Sequence, residues 1–128
     1  MRTLIAAVLI ALLSPSAQAA CWRIDNLRGY SAKAFESYAI SSDSLRGQTF
    51  RLTIGTNSAS LTPNNGLSCT RVSTTSAVCV ATDGVKSIVE VWSLDPGLRK
   101  AYQVHSRGGS GQLNGATLFV GDVIASCD

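Results

Sequence analysis

Four cysteines, Cys21, Cys69, Cys79 and Cys127, limit what this chain can fold into more than any other feature. The outer two bracket almost everything that follows an apolar leader, so a bond between them would tie the chain into one closed unit. The leader consists of Arg2, the ten-residue run "LIAAVLIALL" from Leu4 to Leu13, the breaker "SPS" and the small-residue tail "AQAA". Charge, apolar run and small residues in that order read as a secretory signal peptide. Ten residues are too few to cross a hydrocarbon core as a helix, which takes about 20, and no second such run follows, so no transmembrane segment is expected. Ala17 and Ala19 stand where a signal peptidase reads, predicting a leader over 1–19 and a single domain over 20–128. A lipoprotein signal also ends in cysteine. Here Gln18 occupies the position where that signal carries leucine, which argues against a lipid anchor at Cys21. The expected location is periplasmic or secreted.

In such an oxidising compartment an even cysteine count becomes a disulfide framework. The segments "LSCTRV" and "AVCVAT" flank the turn-like "STTS". If Val72 pairs with Ser76 across a three-residue loop, Cys69 falls opposite Cys79, and Cys21 is left for Cys127. On chain entropy alone the long loop stabilises by up to ~4.8 kcal/mol and the hairpin loop by ~2.8 kcal/mol. Neither a zinc site nor a redox centre fits the spacing. There is no C-x₂-C, no H-x₃-H and only one histidine, His105, so no metal or other cofactor is expected.

Between the cysteines the pattern is that of strands. In "QTFRLTIG", Phe50, Leu52 and Ile54 alternate with Thr49, Arg51 and Thr53, as a half-buried strand requires. "CWRIDN" reads as a first strand. Asp83-Gly84 joins "AVCVA" to "VKSIVEVWSL" as a hairpin, and "DPG" at 95–97 turns the chain into "LRKAYQVHS". "ATLFVGDVIAS" closes the domain, with Gly121 marking a bulge or bend. The stretch "SAKAFESYAIS" fits strand or helix and leans to strand or irregular structure. Trp92 alternates with Ile88, Glu90 and Leu94 and is expected in the core, with Trp22 covering the terminal disulfide. Asp25, Asp43, Asp83 and Asp95 are placed like turn formers. The expected fold is all-β: about seven or eight antiparallel strands in a small barrel or sandwich, stapled by two disulfides.

Function is less constrained. Without Arg2, 10 of the 11 basic residues face 8 acidic ones, a dispersed formal charge of +2 with no basic run; no nucleic-acid footprint is present. The glycine-rich loop "HSRGGSGQLNG", His105 to Gly115, is the first place to look for function. It fails the catalytic templates: "GGSGQ" has Gln112 where a nucleophile elbow ends in glycine, and no helix follows as a dinucleotide fingerprint demands. His105, on the face opposite Tyr102 and Val104, is expected to point to solvent. No catalytic residue is assigned and no enzyme activity expected. His105, Ser106, Arg107, Ser110 and Gln112 are instead candidates for contact with a protein partner of the envelope or exterior. Arg99 and Lys100 join them as part of a basic cluster with Arg107. The expected role is a small binding protein, an inhibitor or immunity-type protein, with a non-catalytic envelope accessory as the alternative and a small hydrolase as the minority reading. Periplasmic lysozyme inhibitors share these general features. Their "SxGxxY" loop does not carry over, because after Ser106-Arg107-Gly108 it is Gly111 that stands where the tyrosine belongs.

Overall fold

The computed structural model describes residues 19–127. The leader reading therefore falls, but for Ala19, outside the described residues. Nine strands form one antiparallel sheet: β1 (Ala20–Lys33), β2 (Ile40–Ser44), β3 (Phe50–Ile54), β4 (Ala59–Thr62), β5 (Ser68–Ser73), β6 (Ser76–Asp83), β7 (Lys86–Asp95), β8 (Lys100–Gly108) and β9 (Gly115–Ser126). Eight of them run in the order β4-β3-β1-β9-β8-β7-β6-β5, and β2 pairs with β1 beside this path. The sheet curls into a nearly closed barrel. At the seam β4 and β5 are neighbours without a ladder, and the Arg71 guanidinium donates to the Thr56 carbonyl in the β3–β4 turn.

β1 makes this arrangement possible. One edge pairs with β9 along its length, while the other is shared: Ala20 to Ile24 pair with β3 and Arg28 to Ala32 with β2. Between these halves the ladder skips at Asn26 and Leu27. Asn26 adopts a φ of 62°, a left-handed conformation that asparagine tolerates better than most residues. The bulge re-aims Leu27 into the core, where it is fully buried. Across from it, a side chain at Gly121 would come within 2.7 Å of Leu27 Cδ2. The expected irregularity at Gly121 is thus real, but the bulge belongs to β1 and Gly121 makes room for it.

Both disulfides form as expected. Cys21 and Cys127 have Cα atoms 5.1 Å apart, and Cys69 and Cys79 are cross-strand partners at 3.9 Å. The β5–β6 hairpin differs in its tip. Ser73, not Val72, pairs with Ser76, and Val72 is squeezed out as an exposed bulge. The hydroxyls of Ser73 and Ser76 lie 2.6 Å apart, a contact that ties down the shorter loop.

Trp92 is the central core residue, with no exposed surface and its ring 5.2 Å from that of Phe50. Ile24, Leu52, Leu61, Leu94 and Phe119 complete the layer around it, and Trp22 packs against the same core. The ambiguous stretch resolves into the end of β1, a 3-10 turn at Ala34–Glu36 and the start of β2. Phe35, Tyr38 and Ile40 stay exposed there. No helix among the described residues is long and apolar enough to cross a membrane.

Candidate functional site

The barrel interior changes character along its axis. Near one end the inward positions are Leu94 and Trp92 on β7 and Ala101 on β8. Toward the other they are Glu90, then Gln103, His105 and Arg107, facing Thr117 on β9. Here the barrel opens into a cavity of about 430 Å³, walled also by Phe35, Leu45, Leu67 and Leu113. Pockets at the mouths of β-barrels are usual ligand sites.

Glu90 organises the floor. Its Oε2 accepts from Trp92 Nε1 at 2.9 Å, and its Oε1 lies 3.0 Å from His105 Nδ1. Burial is the strongest single influence on this carboxyl and raises its pKa. Hydrogen bonds from His105, Trp92 and Gln103, with the attraction of His105, outweigh burial together and hold the group below its ordinary value. Glu90 is therefore ionised, and an ionised carboxylate only accepts. Nδ1 must carry a proton in this contact, and Nε2 is left for other partners. The same logic fixes Gln103: its amide nitrogen serves Glu90, so its Oε1 is left over. Gln103 is 3% exposed, and its Oε1 has no hydrogen-bond partner among the described residues.

A second polar set stands at the rim. Lys33 Nζ contacts Asp43 Oδ2 at 2.8 Å and lies 5.8 Å from the centre of the Phe35 ring. The Lys33 hydrogen bond, aided by Ser31 and the Ser44 backbone, holds Asp43 below the ordinary aspartate value against its partial burial. Asp43 is thus no turn former but a member of β2. Asp95 does act in a turn, accepting from Leu98 N at 3.0 Å. Arg107 also lines the cavity, and its guanidinium forms no ion pair among the described residues.

The candidates read from sequence separate. His105 and Arg107 point into the barrel, which corrects the expectation that His105 faces solvent. Tyr102 and Val104 do lie on the opposite face, but that face is the exposed one. Ser106 shares that outer face, and Gln112 is exposed in the 3-10 turn Gly111–Leu113. Ser110 is half-buried, its backbone N–H donating to Asn114 Oδ1 at 2.6 Å. Arg99 and Lys100 sit at the other end of the barrel. Arg99 donates to the Val123 and Ile124 carbonyls, and Lys100 reaches Asp122 at 2.6 Å. Lys100 and Arg107 are separated by seven strand positions, about 23 Å, so the three cations form no cluster. The loop itself is folded down. Gly109, with a φ of +66°, is pressed against the Val85 carbonyl so that no side chain fits, and Asn114 accepts from Ala34 N at 2.9 Å.

Sequence reasoning missed Glu90, Gln103, Lys33 and Asp43. The signal for Glu90 was present, since it shares the register of Trp92 and Leu94. Chemically, Glu90 and His105 resemble two members of a catalytic triad, yet among the described residues no hydroxyl hydrogen-bonds the His105 ring. No group of three His, Cys, Asp or Glu side chains among them is arranged to hold a metal ion. No protein-family model, curated protein or solved structure matches the chain.

Proposed function

We propose that this chain is an exported binding protein, without catalysis of its own, that receives its ligand through the open end of the barrel. The observation that carries this reading is Gln103, which lines a cavity of about 430 Å³ and whose Oε1 is a buried acceptor with no partner among the described residues. Leaving such a group unpaired costs about 1–3 kcal/mol. A fold of this size keeps that cost where something else benefits from it. Export is supported by the leader pattern and by two disulfides with no free cysteine among the described residues.

Trp92 lies under the cavity and bonds to Glu90, so its fluorescence should report occupancy once Trp22 is replaced by phenylalanine. Titration with D-glucuronate, L-arginine and an anilinonaphthalene sulfonate dye samples three ligand classes. At least one should give a saturable change that Thr117→Phe, which narrows the cavity, abolishes. No saturable response to any of them would overturn the proposal.

A protein-partner role, as inhibitor or envelope accessory, finds its support on the outside wall. Val78, Val91, Val104, Leu118 and Tyr30 pair successively across β6, β7, β8, β9 and β1. Val104, Leu118 and Tyr30 of this row are 48%, 56% and 59% exposed. Such contiguous apolar surface is typical of contact sites. Crosslinking to an envelope protein that is lost in Val104→Asp and kept in Thr117→Phe would favour this role over the cavity.

A further inference from the structure

The cavity's unmet bonding capacity specifies a ligand chemistry, an inference that rests on the reading of the barrel mouth as a binding site. Gln103, His105 and Arg107 occupy successive inward positions of one strand, β8, and all three line the cavity. By strand rise the first and last are about 13 Å apart at the backbone. Of the two deeper groups, Gln103 Oε1 is an acceptor with no partner among the described residues, and His105 Nε2 is the ring nitrogen left over from the contact with Glu90. Together they call for a ligand with hydroxyl groups, which donate and accept alike.

A cationic donor is disfavoured. The Glu90 oxygens are already engaged by Trp92, His105 and Gln103, and Asp43 is held by Lys33. The one charge in the wall left without a counter-ion among the described residues is that of Arg107. A planar guanidinium suits a carboxylate, which it binds in a bidentate manner. Phe35, 55% exposed at the rim, adds an apolar face. Donors deep, an acid near the mouth and a flat apolar wall beside them describe a small polyhydroxylated acid. We infer that the cavity binds a ligand of the uronic- or aldonic-acid class, its hydroxyls hydrogen-bonding Gln103 Oε1 and His105 Nε2 and its carboxylate meeting Arg107.

A free sugar acid and the uronate end of a polysaccharide present the same groups, and the test separates them. In the single-tryptophan protein, D-glucuronate should give saturable binding, with D-glucose and acetate each at least about tenfold weaker because each keeps only half of the recognition. Arg107→Gln should weaken glucuronate by about tenfold or more while leaving glucose unchanged. Gln103→Leu should weaken both sugars, with the melting temperature recorded beside each variant to exclude unfolding. An oligouronide that binds tighter than the monomer assigns the site to a polymer end, and equal affinity assigns it to the free acid. Saturable binding of arginine or the dye with none of glucuronate overturns the ligand class and leaves the binding site standing. Failure of all three overturns both. Glucuronate binding insensitive to Arg107→Gln and Gln103→Leu places the acid elsewhere and also overturns the inference.

Discussion

The two ends of this barrel use the same residue types in opposite ways. At the closed end charge lies outside and is paired. Asp122 accepts from Lys100 and Asn26 and lies 3.7 Å from Arg28, with the Lys100 hydrogen bond as the main reason its carboxyl sits below the ordinary value. The interior there is Leu27, Leu94, Ala101 and Val123, sealed beside the Cys21–Cys127 bridge. At the open end Glu90, Gln103, His105 and Arg107 turn inward, while Val104 and Leu118 turn out. One end resembles an ordinary small β domain. The other inverts the usual distribution of polarity, and that inversion is where function should be sought.

The contrast can be broken or sharpened by substitution. The largest effects should come from the closed end and the core. Removing the Cys21–Cys127 bridge with serines should cost up to about 4.8 kcal/mol on chain entropy, against about 2.8 for Cys69–Cys79; denaturant titration of the two double variants gives the order. Trp92→Ala should cost about 3–5 kcal/mol, comparable with the long bridge. Glu90→Leu comes next. It leaves Trp92 Nε1 and His105 Nδ1 without their acceptor, at about 1–3 kcal/mol for each buried group left unpaired. Asp122→Asn at the exposed closed-end network should move the melting temperature least, since exposed ion pairs contribute little. If Asp122→Asn cost more than Glu90→Leu, the distinction between an idle outer network and a committed inner one would fail.

Acid should act on both ends in the same direction but through different groups. Glu90, Asp43 and Asp122 all have folded-state pKa values below their ordinary ones. The native state therefore binds fewer protons than the unfolded chain in that range. Their contribution is complete above the ordinary carboxylate range near pH 4 and is lost as pH falls through the lower folded values. Thermal melts between about pH 6 and pH 2.5 should show this loss, and Glu90→Gln should flatten part of it. An unchanged slope in Glu90→Gln would mean that the inner carboxylate is not held as described.

Much of the fold was legible because local signals agreed. Alternation in "FRLTI" gave β3, the turns after Asp83 and Asp95 gave the β6–β7–β8 meander, and the hairpin register gave Cys69 opposite Cys79. The β5–β6 tip escaped because a bulge at Val72 shifts register without altering the alternation read on either side. The site was hidden for a related reason. Period-two alternation separates the two faces of a strand without saying which is inside, and Tyr102 and Val104 look like a core face. In this barrel they are outside, and His105 on the opposite face points in. The correction was available from β7. Glu90 shares the face of the buried Trp92, and pairing Asp95 with Lys100 across the turn sets Glu90 opposite His105. What no local pattern contains is the unmet acceptor on Gln103, because it follows from side chains of two strands, β7 and β8, converging on one carboxylate.

The central claim is that the unmet acceptor of Gln103 and the charge of Arg107, both unpaired among the described residues and set around the structural Glu90 network, serve a ligand and not the fold. The most direct test is the melting temperature of Gln103→Leu, in which a buried acceptor with no partner among the described residues becomes a hydrocarbon of similar size; relief of that acceptor offsets the loss of the amide donor to Glu90, which keeps its bonds from Trp92 and His105. The account predicts an unchanged or higher melting temperature. A fall as large as that caused by removing an apolar core side chain would show that Gln103 holds the barrel together, and would contradict it.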